Sequence, residues 1–583
     1  MTDADITDAA PGDPEAWHAA ALDAFRQGRL AEAVAWAQAA VSRVPDRAAW
    51  WRNLCTIAER HGNHAMALAA AERAVALAPS DPDLWHALAL VQYRLGAPEA
   101  SAASARAALH RDADHAGAHV ALAEALLLQG EFATGWDEYE WRYRLPGAGP
   151  SRPPLTCAAW DGTPLPKEPP AAAQSGRLLL VADQGYGDAI QFARYIPWAA
   201  ARCGAVSLAA APELTPLLAP LLPPGAVLAG WEAVLARGER YAAWAPLSGL
   251  PRLHGTRGDT IPATVPYLSA EPGRVVAWRA QLDALASHLA PHPAPRSVRR
   301  VGLVWAGRPT HPNDANRSAP AAAMAPLAAV PGVALVSLQQ GAAAAEAAAI
   351  APSLPALGGA IDDFATLAAV ISALDLLITV DSAPAHVAGA LGCPVWVLLP
   401  YGPDWRWLRD RADTPWYPTA RLFRPPAPRD WTGLMAGVAA ALRRWAAACP
   451  RSGLGRTTSQ FPTQEARVSK IIRTEPNPIL SKAVEFHGFV YLQGMTARDP
   501  GKDIKGQTAE VLEEIDAALE THGTDKTRLL TAQIWLKDIK DRPAMNELWA
   551  AWLPEGGAPV RACVQAELAD PRLLVEIMVT ACK

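Results

Sequence analysis

Four glycines, Gly28, Gly62, Gly96 and Gly130, stand at a constant interval of 34 residues. Trp17, Trp51, Trp85 and His119 keep the same interval, and so do Pro45 and Pro79, with Ala113 at the third place. A strict period leaves few folds open. Each unit must be one supersecondary piece that cannot bury its apolar face alone, so neighbours have to stack. Within a unit, apolar and small residues recur at helical spacing, as in Trp17, Ala21, Ala24 and Phe25. The glycine marks a turn between two antiparallel helices, and the proline closes the second. Four such units fill about residues 14–147.

This pattern resembles the tetratricopeptide (TPR) repeat, whose period is 34 residues. The resemblance implies an all-α TPR solenoid over 14–147. Such an array is a binding surface and carries no chemistry of its own. Its concave face is expected to hold a protein or peptide, or the repeats support the next domain.

A step in composition divides the chain near its end. Lys167 is the only lysine in the first 469 residues, whereas eight lysines lie from Lys470 to Lys583. Arg and Lys serve equally well on most solvated surfaces, so folding alone gives no reason for such a step, and two histories joined near residue 468 is the plainer reading. A length of 583 residues suits three or four domains at about 150 residues each. The net charge of −5 gives no electrostatic reason to expect nucleic acid. Seven scattered cysteines without CxxC spacing indicate neither a disulfide framework nor a metal site. Asp3, Asp5 and Asp8 stand where a secretory signal would be basic, and the apolar run from Leu376 to Pro400 is broken by Asp381 and His386. A cytoplasmic protein with no membrane span is expected.

The middle of the chain reads as α/β. After a Pro-rich stretch, Leu145 to Gly176, comes a strand over Arg177–Ala182, the turn Asp183-Gln-Gly-Tyr-Gly-Asp188, and a helix beginning near Ala189. Strand, glycine turn and helix place the turn at the carboxyl edge of a doubly wound sheet, where ligands bind. Asp188 there either caps the helix or faces the cleft. A second series has strands at Val301–Ala306, Val333–Leu338, Leu376–Val380 and Pro394–Leu399. The strand at 376–380 leads into Asp381-Ser-Ala-Pro-Ala-His386 and a helix capped by Asp381 or Ser382, with Pro384 in its first turn. Such a helix N-terminus suits a diphosphate.

These motifs in order resemble the heptosyltransferase-like glycosyltransferases of family 9: Gln184-Gly-Tyr-Gly-Asp188 continuing to Tyr195, Val304-Trp-Ala-Gly307 with Asn316-Arg-Ser318, Val380-Asp-Ser-Ala-Pro-Ala-His386, and Pro403-Asp-Trp-Arg-Trp-Leu408 with Pro415-Trp-Tyr-Pro418. The resemblance implies a GT-B fold of two Rossmann-like halves, an acceptor-side half at 155–290 and a donor-side half at 300–447. It implies an inverting mechanism without a metal or bound cofactor, and a nucleotide-sugar donor. By position, Asp188 is the general base, Asp381, Ser382 and His386 meet the donor, and Arg308 or Arg317 balances the diphosphate. The family commonly has a lysine in the loop of Gly307 to Ser318, where this chain has only arginines.

A linker over 450–467 leads to residues 468–583, which read as two strands (Ala483–Val490, Tyr491–Gly494), helix (Lys505–His522), strand (Arg528–Leu536), helix (Ala544–Trp552) and two strands (Val560–Leu568, Leu573–Ala581). That order gives an α+β sheet with both helices on one face. Val490-Tyr-Leu-Gln-Gly494, Lys505-Gly-Gln-Thr508, Met545-Asn546, Arg561-Ala-Cys-Val564 and Val575-Glu-Ile577 resemble the reactive intermediate deaminase (Rid) family, of chorismate-mutase-like fold. The resemblance implies a homotrimer with clefts between subunits that hydrolyses small imino or enamino acids. Arg561 would clamp the substrate carboxylate, Glu576 would orient water, and Asn546 and Cys563 would line the pocket. Leu480 falls where the family has a tyrosine. Two alternatives stand beside the glycosyltransferase reading: a TPR scaffold with an idle GT-B domain, and a deaminase whose other domains are passengers.

Overall fold

The computed structural model describes residues 12–147, 157–165, 177–223, 226–230, 241–262, 264–289, 298–311, 313–447, 472–476, 480–486 and 489–582. The linker expected over 450–467 lies outside them, as does most of the Pro-rich stretch before residue 177. The chain divides into two compact units, Met1–Ser452 and Gly453–Lys583.

Among its described residues the first unit begins with eight helices in antiparallel pairs: α1 (Pro14–Arg26), α2 (Leu30–Arg43), α3 (Ala48–His61), α4 (His64–Leu77), α5 (Pro82–Arg94), α6 (Pro98–Arg111), α7 (Ala116–Gln129) and α8 (Phe132–Tyr139). Local chemistry sets their ends. Asp13 and Asp81 cap α1 and α5 by accepting from the amides of Glu15 and Asp83, ahead of Pro14 and Pro82. Gly28, Gly62, Gly96 and Gly130 all take left-handed φ, from 70° to 91°, at the turns within each pair. The one break in the aromatic column keeps the bond of the two tryptophans before it. Trp51 and Trp85 donate from the indole to the carbonyls of Pro45 and Pro79, at 3.0 and 2.9 Å, and His119 donates from Nε2 to Ala113 at 2.9 Å. An imidazole thus replaces an indole while reaching the same carbonyl, six residues back along the chain.

The array is continuous with the α/β part of this unit. Trp17 to Val91 build one core, but the core that starts at Ala89 and Tyr93 runs through α7 and α8 into both sheets. Helix α7 is apolar nearly all round, the pattern of a helix buried on every side. Trp136 donates to the carbonyl of Thr256 at 3.0 Å and meets the Trp405 ring edge-on at 5.1 Å. Gly402 shows how close the approach is: a Cβ there would stand 2.5 Å from the carbonyl oxygen of Arg94.

Two parallel five-stranded sheets make up the rest of the unit. The first contains β1 (Ala158–Ala159), β2 (Arg177–Val181), β3 (Ala205–Ala209), β4 (Val227–Ala229) and β5 (Ala243–Pro246), in the order β1-β5-β2-β3-β4. The second contains β6 (Arg299–Val304), β7 (Val333–Ser337), β8 (Leu376–Val380), β9 (Val395–Leu398) and β10 (Ala420–Phe423), in the order β10-β9-β8-β6-β7. Strand β8 is buried at all five residues, as expected of a parallel strand covered on both faces. In the first sheet the order reverses between β2 and β5, in the second between β6 and β8. The loops leaving β2, β6 and β8 therefore open at switch points, where crevices form. The helices that position the site are α9 (Tyr186–Phe192), α11 (Phe364–Ala373) and α12 (Ala383–Ala390), with α13 (Trp431–Ala447) closing the far side. Helix α10 (Pro272–Leu289), expected with the first half, is tied to the second: Arg274 donates to Thr366 at 3.2 Å, and Asp283 pairs with Arg300 at 3.1 Å.

The second unit holds one mixed sheet. Its strands are β11 (Ile472–Pro476), β12 (Ser481–Phe486), β13 (Phe489–Leu492), β14 (Met495–Thr496), β15 (Leu529–Leu536), β16 (Val560–Gln565) and β17 (Val575–Cys582), in the order β11-β12-β13-β17-β15-β16 with β14 on β17. The strand expected over 483–490 is two strands, and β11 precedes them unforeseen. Helices α14 (Ile504–Thr521) and α15 (Arg542–Trp552) pack through Val511, Leu512, Ile515, Leu519, Met545 and Trp549 onto the sheet. Among the described residues no helix is long and apolar enough to cross a membrane.

Candidate functional site

A cleft of about 910 Å³ in the first unit is lined from three sides: the loops leaving β2, those leaving β6 and β8, and the helical array. It gathers Asp188, Arg308, Arg317, Asp381, Ser382 and His386, so every residue singled out for sugar transfer meets in one place.

Asp188 lies within α9, which begins at Tyr186, earlier than the expected start near Ala189. Gly185 is the N-cap residue, so the reading of Asp188 as N-cap is corrected. Its carboxylate reaches back to the amide of Gly185, the return bond of a capping box, which is why the helix can start on the glycine turn. The same carboxylate is paired with Arg406. Arg406 is buried, bonds Asp404 at 2.8 Å through Nη1, and donates from Nε to Gln191 Oε1 at 2.7 Å. Burial pushes the Asp188 carboxyl above its usual range, with Arg406 pulling the other way. A raised pKa makes the ionised form a better proton acceptor.

The opposite wall is built for an anion. Arg308 lies over the Tyr186 ring at 5.2 Å. Arg317 lies along Gly307, where a Cβ would stand 2.6 Å from its Nη2, and its Nε is ion-paired with Asp314 Oδ1 at 3.5 Å. Ser382 is the N-cap residue of α12, yet its side chain makes no cap bond. Its Oγ turns back to the carbonyl of Val380 at 3.2 Å and caps no amide of α12, where Pro384 carries no N–H and Ala385 donates to the carbonyl of Ser382 at 2.9 Å. Burial, with Asp404 adding to it and Arg317 opposing, pushes the Asp381 carboxyl up to about 6. His386 is bonded through Nδ1 to the Tyr417 hydroxyl at 2.9 Å. A Cβ on Gly187 would stand 2.8 Å from His386 Cδ2, so only glycine lets the first half's turn close on this ring. Burial, helped by Arg406, pushes the imidazole down to about 3. His386 is therefore neutral near pH 7 and can offer a phosphate a hydrogen bond, not a charge.

Four further residues come from the array: Tyr93, Arg94, Glu124 and Tyr139 line the same cleft. Tyr139 donates to Gln184 Oε1 at 3.2 Å. Glu124 accepts no hydrogen bond from the described residues, and burial, opposed by Arg94, pushes its carboxyl up to about 7. Sequence reasoning assigned no role to Glu124, Arg94 or Arg406. A lone carboxylate in the apolar run Ala-Leu-Ala-Glu124-Ala-Leu was the available signal for the first. Arg406 lies in the Pro403–Leu408 motif, but its partners Asp188 and Gln191 lie more than 200 residues earlier.

In the second unit, Arg561 donates to Asn546 Oδ1 at 2.8 Å and lies over the Trp549 ring at 5.6 Å. Burial raises the Cys563 thiol above its usual value, so it lines the site as a neutral group. The registers Arg561–Ala532–Val579 and Val564–Trp535–Glu576 put Arg561 on the helix-covered face and Glu576 on the other. One copy of the chain thus brings Arg561, Asn546 and Cys563 together but leaves Glu576 apart, against Gly494. Leu480 is exposed at 46%.

Two families match the chain. The one described as Endoribonuclease L-PSP covers residues 473–583, and Glycosyltransferase family 9 (heptosyltransferase) covers 331–404. The second match takes in Asp381, Ser382, His386 and Asp404. Protein FlbA of Caulobacter vibrioides is 30% identical over 381 residues, covering 60% of this chain and 60% of that protein. The chain thus spans about 60% of FlbA's length. A RutC family protein of Haemophilus ducreyi is 38% identical over 111 residues, 19% of this chain and 95% of that protein. A solved structure, NMB1025 of Neisseria meningitidis, a member of the YjgF protein family, is 42% identical over 20% of this chain and 96% of its own, with a TM-score of 0.19.

Proposed function

The chain belongs to the RutC family through its last 111 residues and carries a family 9 glycosyltransferase domain before them; from that premise we propose that it transfers a sugar from a nucleotide-sugar to an acceptor held partly by the helical array. The two sheets then act as the halves of a GT-B enzyme, and the array as a TPR solenoid. The observation that carries this reading is the convergence of Asp188, Arg317, Asp381 and His386 on one cleft. The donor diphosphate faces the N-terminal end of α12, with Arg308 and Arg317 against its charge. The acceptor oxygen attacks the anomeric carbon from the side of Asp188, which takes the hydroxyl proton. The bond to the phosphate oxygen breaks as the new one forms, the nucleoside diphosphate leaves with the electron pair, and the anomeric configuration inverts. Asp188 must loosen from Arg406 to accept that proton, and Asp404 holds the guanidinium while it does.

The test uses the full chain and a panel of nucleotide-sugars. Wild type should bind one of them by calorimetry and turn it over. Asp188→Asn should keep donor affinity and lose turnover, and retained turnover would remove Asp188 as the base.

For the tail we infer hydrolysis of small imines or enamines in clefts between three copies. Support comes from the sheet face turned away from α14 and α15. It carries Phe489, Tyr491, Val560 and Val564, exposed at 38%, 44%, 79% and 44%, an apolar surface of the kind a partner covers. Glu576 lies on that face, so a second copy can set it against Arg561. Mass photometry should find a species at three times the 61.7 kDa chain mass. The full chain should speed 2-iminopropanoate hydrolysis, with Arg561→Ala losing the effect. RNA cleavage without imine hydrolysis would favour instead the activity named in the family's description.

A further inference from the structure

Pro415-Trp-Tyr-Pro418 lies behind the cleft wall, with Trp416 and Tyr417 buried. The Tyr417 ring rests against α12: a Cβ on Gly389 would stand 2.4 Å from its Cγ and Cδ1, so glycine alone admits the ring there. Gly389 comes three residues after His386 on that helix, and residues so spaced share a face. The phenol hydroxyl therefore reaches His386 Nδ1, at 2.9 Å. Trp407 stacks on the imidazole with ring centroids 5.5 Å apart, and Gly187 backs its Cδ2 edge. Of the two ring nitrogens, Nε2 is left for the cleft, without a hydrogen-bond partner among the described residues.

The direction of the Tyr417 bond decides what Nε2 can do. Burial holds the phenol well above its usual range, so the hydroxyl keeps its proton. Arg194, buried with its guanidinium 4.9 Å from the Tyr417 ring centroid, can only donate. The Tyr267 hydroxyl spends its proton on the carbonyl of Ile190 at 3.0 Å and already accepts from Arg194 at 3.4 Å. An imidazole nitrogen is the better acceptor, so the Tyr417 proton goes to Nδ1. A neutral ring that accepts at Nδ1 carries its hydrogen on Nε2.

The geometry points to Tyr417 as a positioning residue that makes His386 a fixed Nε2–H donor to the oxygen joining the sugar to the diphosphate. During transfer that oxygen keeps the electron pair of the breaking bond to the anomeric carbon. The Nε2 hydrogen meets the growing charge without leaving the ring. The bond accepted at Nδ1 polarises the imidazole and strengthens the donor at Nε2. So protonated, Nε2 has no lone pair for the acceptor hydroxyl, and proton abstraction falls to Asp188. This inference rests on the glycosyltransferase reading and adds to it a residue behind the cleft.

The test takes the full chain and the donor found by the panel. Tyr417→Phe keeps the ring against Gly389 and removes only the hydroxyl. Its kcat should fall by roughly tenfold, the loss of one hydrogen bond's worth of transition-state stabilisation, while the donor Kd holds. In a His386→Gln background, whose amide N–H needs no partner to fix a tautomer, Tyr417→Phe should cost no further activity. Nitrogen-15 resonances of a histidine-labelled chain, with His386 assigned by its loss in His386→Gln, should show Nδ1 bare and Nε2 protonated in wild type. Tyr417→Phe should show a mixture. An Nδ1–H form in wild type would overturn the inference while sparing the reading beneath it. So would an equal loss from Tyr417→Phe in both backgrounds, the mark of a merely structural ring. Should Tyr417→Phe fail to fold, the wild-type resonances decide alone. A wild-type chain that binds no nucleotide-sugar would bring down both.

Discussion

Gly402→Ala is the sharpest test of whether the helical array is built into the transferase unit or merely tethered to it. A Cβ at Gly402 would stand 2.5 Å from the carbonyl oxygen of Arg94 and 2.6 Å from that of Tyr93. Both are backbone atoms at the end of α5, so no flexible side chain can swing away. Gly402 does not have a left-handed φ, so the substitution adds no backbone strain of its own. Bringing the contact even to a tight 3.0–3.4 Å requires α5 to retreat by roughly 0.5–0.9 Å. Overpacking of this kind costs about 1–3 kcal/mol. That cost should fall on the docking of α5 and α6 and not on the folding of each helix pair. Hydrogen exchange over residues 91–101 should therefore quicken by about 5- to 150-fold. Gly359→Ala, where a Cβ meets nothing within 4 Å, is the control. Equal exchange in the two variants would refute backbone-to-backbone docking, and with it the placement of Arg94 and Glu124 in the cleft wall.

Arg406→Ala leaves the carboxylates of Asp188 and Asp404 without their shared cation, and urea unfolding should show a loss of about 3–5 kcal/mol; Arg406→Lys should not restore it, since an ammonium cannot reproduce the guanidinium's fixed fork toward Asp188, Asp404 and Gln191. Asp381 ionises at about 6 when folded against an ordinary 3.8, so the unfolded chain loses that proton first and stability falls as pH rises through that window. His386 works oppositely: held near 3 against 6.5, it leaves the unfolded chain to take up the proton, and stability falls as pH drops below 6.5. Asp381→Asn should gain on wild type by up to about 3 kcal/mol between pH 4 and pH 7, measured by urea unfolding at each pH; no gain would refute the burial of that charge. In the tail, Gly494→Ala places a Cβ 1.9 Å from Glu576 Oε1. The carboxylate can swing aside at little cost in stability, so imine hydrolysis should fall while the melting temperature holds.

The tail shows how far pattern reasoning reaches. Alternation along β15 and β17 marks inner and outer residues from sequence, because successive side chains in a strand point to opposite faces. Which residues of β16 and β17 share a face depends on register through β15, and that is a fact of pairing. Arg561 and Glu576 could be named together from motifs yet stand on opposite sides of one sheet. The start of α9 was misplaced for a related reason: Asp188 near a helix start reads as a cap, whereas its return bond to Gly185 makes it the third residue of a helix begun on glycine.

What the sequence alone determined is local or strictly periodic. The 34-residue interval specified the helix pairs and their turns. The strand–loop–helix motifs located Asp188, Arg317, Asp381 and His386, because each loop comes directly after its strand. Tertiary structure alone decided how those loops meet and what meets them. Arg406 reaches Asp188 across 218 residues, Gly187 yields to His386 across the two sheets, and the array lends Glu124 and Arg94 to the cleft. Such pairings depend on which buried faces find one another when the core of α5 to α8 merges with the sheets, and no spacing along the chain encodes that distance.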